Sequence, residues 1–132
     1  MKVVRVVLGI TAGLSIVATG AMHSLVGWGQ LKAVLANTQV PAEVLIGLQI
    51  PWHLAGVAMV TFGSITIALV VSFARGRKVS FLAIRFIAIA YVAFGSWALV
   101  AVKLDPFLMI FVVQGTMLLV VAWKPIRKQE LC

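Results

Sequence analysis

The chain is expected to fold as an all-α bundle of four transmembrane helices, running up-down-up-down with both termini in the cytoplasm. Three observations lead there. Four long apolar stretches, Val6–Gly27, Pro51–Phe73, Phe81–Val102 and Pro106–Trp123, take up most of the 132 residues. About 20 helical residues at ~1.5 Å rise cross a ~30 Å hydrocarbon core. The composition is 63% apolar and 11% charged, against about 45–50% and ~25% in a soluble domain. The basic residues also fall at the ends of the apolar stretches and not along one face, which points to the lipid headgroup layer as their partner and away from nucleic acid. The length leaves room for one integral membrane domain, residues 1–132.

Charge sets the orientation. Of the 11 Lys and Arg residues, Lys2, Arg5, Arg75, Arg77, Lys78, Arg85, Lys124, Arg127 and Lys128 lie on one side if four helices alternate, and only Lys32 and Lys103 on the other. Positive charge is retained in the cytoplasm, so both ends are expected inside. So uneven a split argues against an antiparallel dual-topology dimer. A bacterial inner membrane suits a small chain with this signature. The single cysteine, Cys132, allows no intramolecular disulfide and reads as a solvated tail residue.

The first helix is expected over residues 6–27. Its apolar run exceeds the 7–15 residues of a secretory signal core, so it reads as a retained helix. Gly9, Gly13 and Gly20 would let another helix approach closely. Thr11, Ser15, Thr19 and His23 recur every four residues and make one polar stripe. Their hydroxyls either bond carbonyls of their own helix or face protein.

Residues 28–50 are expected as an interfacial outer connection. Within it Leu31, Val34 and Leu35 share a face of a short helix. The second transmembrane helix is placed at 51–73, with Pro51 in its first turn. A longer helix from Pro41, running about 33 residues and kinked or broken at Pro51, fits the same residues and is the favoured form. Gly56 and Gly63 are its close-packing points.

Arg75-Gly76-Arg77-Lys78 makes the inner turn, and Ser80 is a suitable cap for a third helix over 81–102. Asp105-Pro106 is a strong start signal for a fourth over 106–123. The short turn between them makes these two helices an antiparallel hairpin. Trp28, Trp52 and Trp97 anchor the outer boundary, and Trp123 the inner one.

The polar residues that could form a site are few. His23 and His53 both fall in the outer half, with Trp52 and Gln49 beside them on the second helix. Tyr91 and Gln114 lie near mid-membrane, where a hydroxyl and an amide need partners. These six are the candidate ligand or cofactor residues. Two of the three carboxylates, Glu43 and Asp105, are also outside, so His23, His53, Glu43 and Asp105 form a candidate metal set. Four readings compete: structural histidines, a small-molecule pocket of quinone-like chemistry near the outer interface, haem with His23 and His53 as axial ligands, or a divalent metal. No nucleophile elbow, phosphate-binding Gly loop, paired carboxylates or catalytic cysteine occurs, which makes an enzyme the weaker reading. The expected function is a ligand-binding or accessory subunit in a homo-oligomer or larger membrane complex. A haem or metal redox protein and a small oligomeric transporter are the alternatives.

Overall fold

The computed structural model describes residues 2–123. The basic tail residues Lys124, Arg127 and Lys128, together with Glu130 and Cys132, lie outside them. The described residues are almost wholly helical and contain no strand. In order they form α1 (Lys2–Met22), a π turn (His23–Gly27), α2 (Trp28–Leu35), α3 (Ala42–Ala74), α4 (Leu82–Ala101), a 3-10 turn (Pro106–Leu108) and α5 (Met109–Ala122). Three helices are long and apolar enough to cross a membrane: Lys2–Leu35, Ala42–Ala74 and Leu82–Ala101. Pro106–Ala122 is apolar but shorter.

The first helix extends well past its expected bound, and the second takes the longer of its two expected forms. The first does not stop at Gly27. It passes through the π turn into α2, making 34 continuous residues. The second starts at Ala42, just after Pro41, and runs 33 residues with Pro51 inside it, as its longer form predicts. Residues 28–50 are therefore mostly the ends of two long helices, joined by a turn at 36–41. Proline in a helix removes one ladder bond and crowds the carbonyl four residues back. Here that residue is Gly47, whose Cβ position is open. The fourth helix differs the other way. Its first turn is 3-10, leaving 14 α-helical residues. Asp105 caps it as expected, accepting from Phe107 N–H at 2.9 Å. Ser80 Oγ accepts from Leu82 N–H at 3.3 Å ahead of α4.

Packing follows the glycines. Between lipid tails apolar burial gives little drive for helix association, so close backbone approach has to supply it. Gly13 faces Gly63 and Gly20 faces Gly56 across the α1–α3 contact, while Gly9 lies against Val70. A Cβ built on Gly63 would stand 2.6 Å from the Gly13 carbonyl oxygen. The α4–α5 contact is built likewise, with Gly95 against Phe111 and Val112, and Gly115 against Val92. Both pairs are antiparallel hairpins. They join through α1 and α5, whose contacts run from Arg5–Val121 at one end to Thr19–Gln114 further along. The main contacts thus run in the order α3, α1, α5, α4. Ile16, Val70, Ile84, Leu118 and Val121 are the largest apolar side chains fully buried between them.

The two hairpins have unequal reach. Gln114 is level with Ser15 and Thr19, and α5 begins only five residues further out, about 7 Å. The α5 start is therefore near the level of His23. Beyond it the first helix continues to Leu35, about 18 Å more. The α1–α3 hairpin projects past the turn that joins α4 to α5.

Candidate functional site

Both helices of the long hairpin break their regular geometry at one level, the π turn on one and Pro51 on the other, and an aromatic cluster occupies that level. The His23 ring stacks on the Trp52 indole, with centroids 4.3 Å apart and planes 10° from parallel. Trp28 packs against Trp52 at 6.2 Å and against His53 at 5.9 Å. Ring by ring the contacts run His23, Trp52, Trp28, His53. The indole N–H of Trp52 also donates to the His23 main-chain carbonyl at 2.7 Å. A carbonyl inside a helix takes such a bond where the ladder is irregular, as in a π turn. Gly27 clears space for the indole: a Cβ there would be 3.2 Å from Trp52 Cζ2.

Of the predicted site residues, then, His23, His53 and Trp52 come together. Trp28, expected only as an interfacial anchor, is the fourth member. Its five-residue spacing from His23 gives one face to both only because the turn between them is π and not α. Gln49 is exposed on α3 outside the cluster.

Glu43 is exposed in the first turn of α3, ten residues before His53, or about 15 Å along the axis. Asp105 is engaged as a helix cap in the α4–α5 turn. The candidate metal set of His23, His53, Glu43 and Asp105 is not assembled. Among the described residues no group of three or more His, Cys, Asp or Glu could hold a metal ion.

Tyr91 and Gln114 are buried away from the cluster, Gln114 between α5 and α1 and Tyr91 between α4 and α5. The Gln114 amide donates to Ser15 Oγ at 2.8 Å and to Thr19 Oγ1 at 3.1 Å. Thr19 in turn donates to the Ser15 carbonyl at 2.8 Å. This explains the stripe on the first helix. Residues four apart drift by about 40° per step, so Ser15 and Thr19 meet α5 while His23 has turned to α3. Among the described residues the Gln114 Oε1 and the Tyr91 hydroxyl, both buried, have no hydrogen-bond partner. Tyr91 packs its ring against Phe111, centroids 5.9 Å apart.

An open groove of about 250 Å³ lies between α1 and α3 beside the aromatic cluster. Gly20, Ser24, Gly56, Val57, Val60 and Thr61 line it. Its walls are mostly apolar, with the hydroxyls of Ser24 and Thr61 as the polar groups. His23, His53 and Trp52 are not among its lining residues.

Compared with known proteins, the chain matches no family model, no curated protein and no solved structure.

Proposed function

We propose that the protein is a multi-pass membrane subunit that works through helix contacts, with the projecting α1–α3 hairpin as its docking element and the groove beside the aromatic cluster as a ligand pocket. In this reading four helices run up-down-up-down through a bacterial inner membrane, and the nine-to-two split of basic residues keeps both termini in the cytoplasm.

One observation carries the proposal. The 20 residues of α4 are about 30 Å long, the thickness of a hydrocarbon core. The 34- and 33-residue helices of the long hairpin reach about 50 Å. Tilt alone would need about 53° to bring them within that core, beyond the 0–40° range of membrane helices. The surplus exposes large apolar side chains, Val34 at 66%, Ile46 at 59% and Ile50 at 65%, among the exposed polar residues Gln30, Lys32, Glu43 and Gln49. Apolar side chains past the end of the membrane core call for a covering partner. A partner helix or a second copy of the chain supplies that cover.

The test is the native mass of the particle in mild detergent, with photo-crosslinkers placed at Val34 and Ile50. A mass above one chain, with crosslinks from both positions to protein, is expected. A lone chain with no protein crosslinks sinks the reading.

A redox reading has one observation in its favour: His23 and His53 share the aromatic cluster. An absorption spectrum decides it. A Soret band lost in the His23→Ala, His53→Ala double variant would establish haem, and a colourless, metal-free preparation of the native protein would remove it.

A further inference from the structure

The end of the molecule opposite the aromatic cluster gathers cations around two phenylalanines. Phe73 and Phe81 touch edge to face, ring centroids 5.3 Å apart, and close the loop between them, which carries Arg75, Arg77 and Lys78. Arg5 reaches over both rings, 5.3 Å from Phe73 and 4.9 Å from Phe81, and Lys2 lies 5.8 Å from Phe73. Arg5 also donates through Nε and Nη2 to the Val121 carbonyl, and Arg85 donates through Nε to the Ala122 carbonyl at 3.2 Å. Among the described residues six cations thus share one end of the helices. The carboxylates Glu43 and Asp105 belong to the other end.

Helix dipoles do not neutralise this charge. The C-termini of α3 and α5 each bring about half a negative charge, and the N-termini of α1 and α4 each about half a positive one. The four ends cancel, and the six full charges stand. The Arg5 guanidinium is fixed by a backbone carbonyl and two aromatic faces and that of Arg85 by a backbone carbonyl, yet each keeps unused N–H donors from its set of five. Prepositioned guanidinium forks match the oxygens of a phosphate group. A phosphate held at the end of apolar helices, level with the membrane surface, is that of a lipid.

We infer that this end is a specific site for the headgroup of an anionic phospholipid, held by Arg5 and Arg85 with Arg77 and Lys78 from the loop. The inference rests on the membrane reading but not on the orientation, which decides only the leaflet. The aromatic rings orient Arg5, and the loop adds charge around the bound phosphate.

The test uses the full chain purified in mild detergent and titrated with phosphatidylglycerol or phosphatidylcholine, read by native mass spectrometry. Phosphatidylglycerol should bind at least roughly tenfold more tightly, since each nearby cation contributes roughly fivefold toward an anionic lipid. The Arg5→Gln, Arg85→Gln variant should lose most of that preference, and millimolar inorganic phosphate should leave the lipid bound. The two guanidiniums also pack, so the Arg77→Gln, Lys78→Gln variant, altered only at exposed positions, gives an independent reading. It should bind phosphatidylglycerol several-fold more weakly with an unchanged melting temperature. Equal binding of the two lipids, full preference in either variant, or displacement by inorganic phosphate overturns the site. Alkaline carbonate extraction of membranes separates this outcome from a failure of the membrane reading: a protein released into the supernatant is not integral, whatever lipid it binds.

Discussion

Trp52 holds His23 in two ways at once. Its indole stacks on the imidazole at 4.3 Å, and its N–H bonds the carbonyl oxygen of the same residue at 2.7 Å. One side chain of α3 thereby fixes both the ring and the backbone of the π turn on the facing helix.

Removing these links separately should show their sizes. Trp52→Phe keeps a ring but loses the donor, and should lower stability in detergent by about 1 kcal/mol. Trp52→Ala also empties the ring's place, and should cost about 3 kcal/mol or more. A double-mutant cycle of Trp52→Ala with His23→Ala should give a coupling of about 0.5–1.5 kcal/mol for the ring contact alone, because the His23 variant keeps the backbone carbonyl. Thermal unfolding in one detergent reads all of these. Equal effects of Trp52→Phe and Trp52→Ala would contradict the two-part contact.

The close approach of Gly13 and Gly63 predicts a sharp contrast among glycines. Gly63→Leu drives a side chain into the Gly13 backbone and should cost more than the usual ~1–3 kcal/mol of overpacking, because backbone cannot yield as a side chain does. Gly29 has nothing within 4 Å of a built Cβ and lies inside α2. Gly29→Ala should stabilise by about 0.5–1 kcal/mol through helix propensity. Melting temperatures of the two variants should move in opposite directions.

Tyr91 and Gln114 predict substitutions that cost little. The Tyr91 hydroxyl has no partner among the described residues, so Tyr91→Phe should leave stability unchanged or raise it by about 1 kcal/mol, as expected for deleting a buried unsatisfied group. Gln114→Leu exchanges two donated bonds and one unpaired oxygen for an apolar side chain of similar size. Because interhelical polar contacts in membranes average only ~0.6 kcal/mol, its loss should be small. Gln114→Ala adds a cavity and should cost about 2 kcal/mol or more. A marked loss in Tyr91→Phe would mean that the hydroxyl bonds a ligand or water in the native particle.

Asp105 offers a local test at the α4–α5 turn. Asp105→Ala removes the acceptor of Phe107 N–H and should cost about 1 kcal/mol, the usual worth of such a cap. Asp105→Asn should recover most of it. If Asp105→Asn proves as damaging as Asp105→Ala, the carboxylate has a role beyond capping.

Much of this arrangement was legible in the residues. The glycines at 9, 13, 20, 56 and 63 announced a close helix contact, and Asp105-Pro106 announced the last helix start. His23, Trp52 and His53 were rightly suspected of proximity, because two antiparallel helices joined at the outer end must bring those levels together. Trp28 was missed because an α-helical count points it away from His23, and the π turn changes that count. Arg5 on the Val121 carbonyl and Gln114 on Ser15 were hidden for another reason: each joins residues about 100 positions apart, and no local pattern carries such a pairing.

Hydropathy, segment length and the positions of glycine and proline determined by themselves that this chain forms apolar helices, since those properties act over a few turns and need no partner. The tertiary structure alone decided that His23–Gly27 is a π turn, that the first helix continues past Gly27 to Leu35, and that the contacts run α3, α1, α5, α4. A broken ladder bond is tolerable only where neighbouring groups fill or satisfy the gap. Between apolar helices of similar composition, only the fit of small residues selects which faces meet.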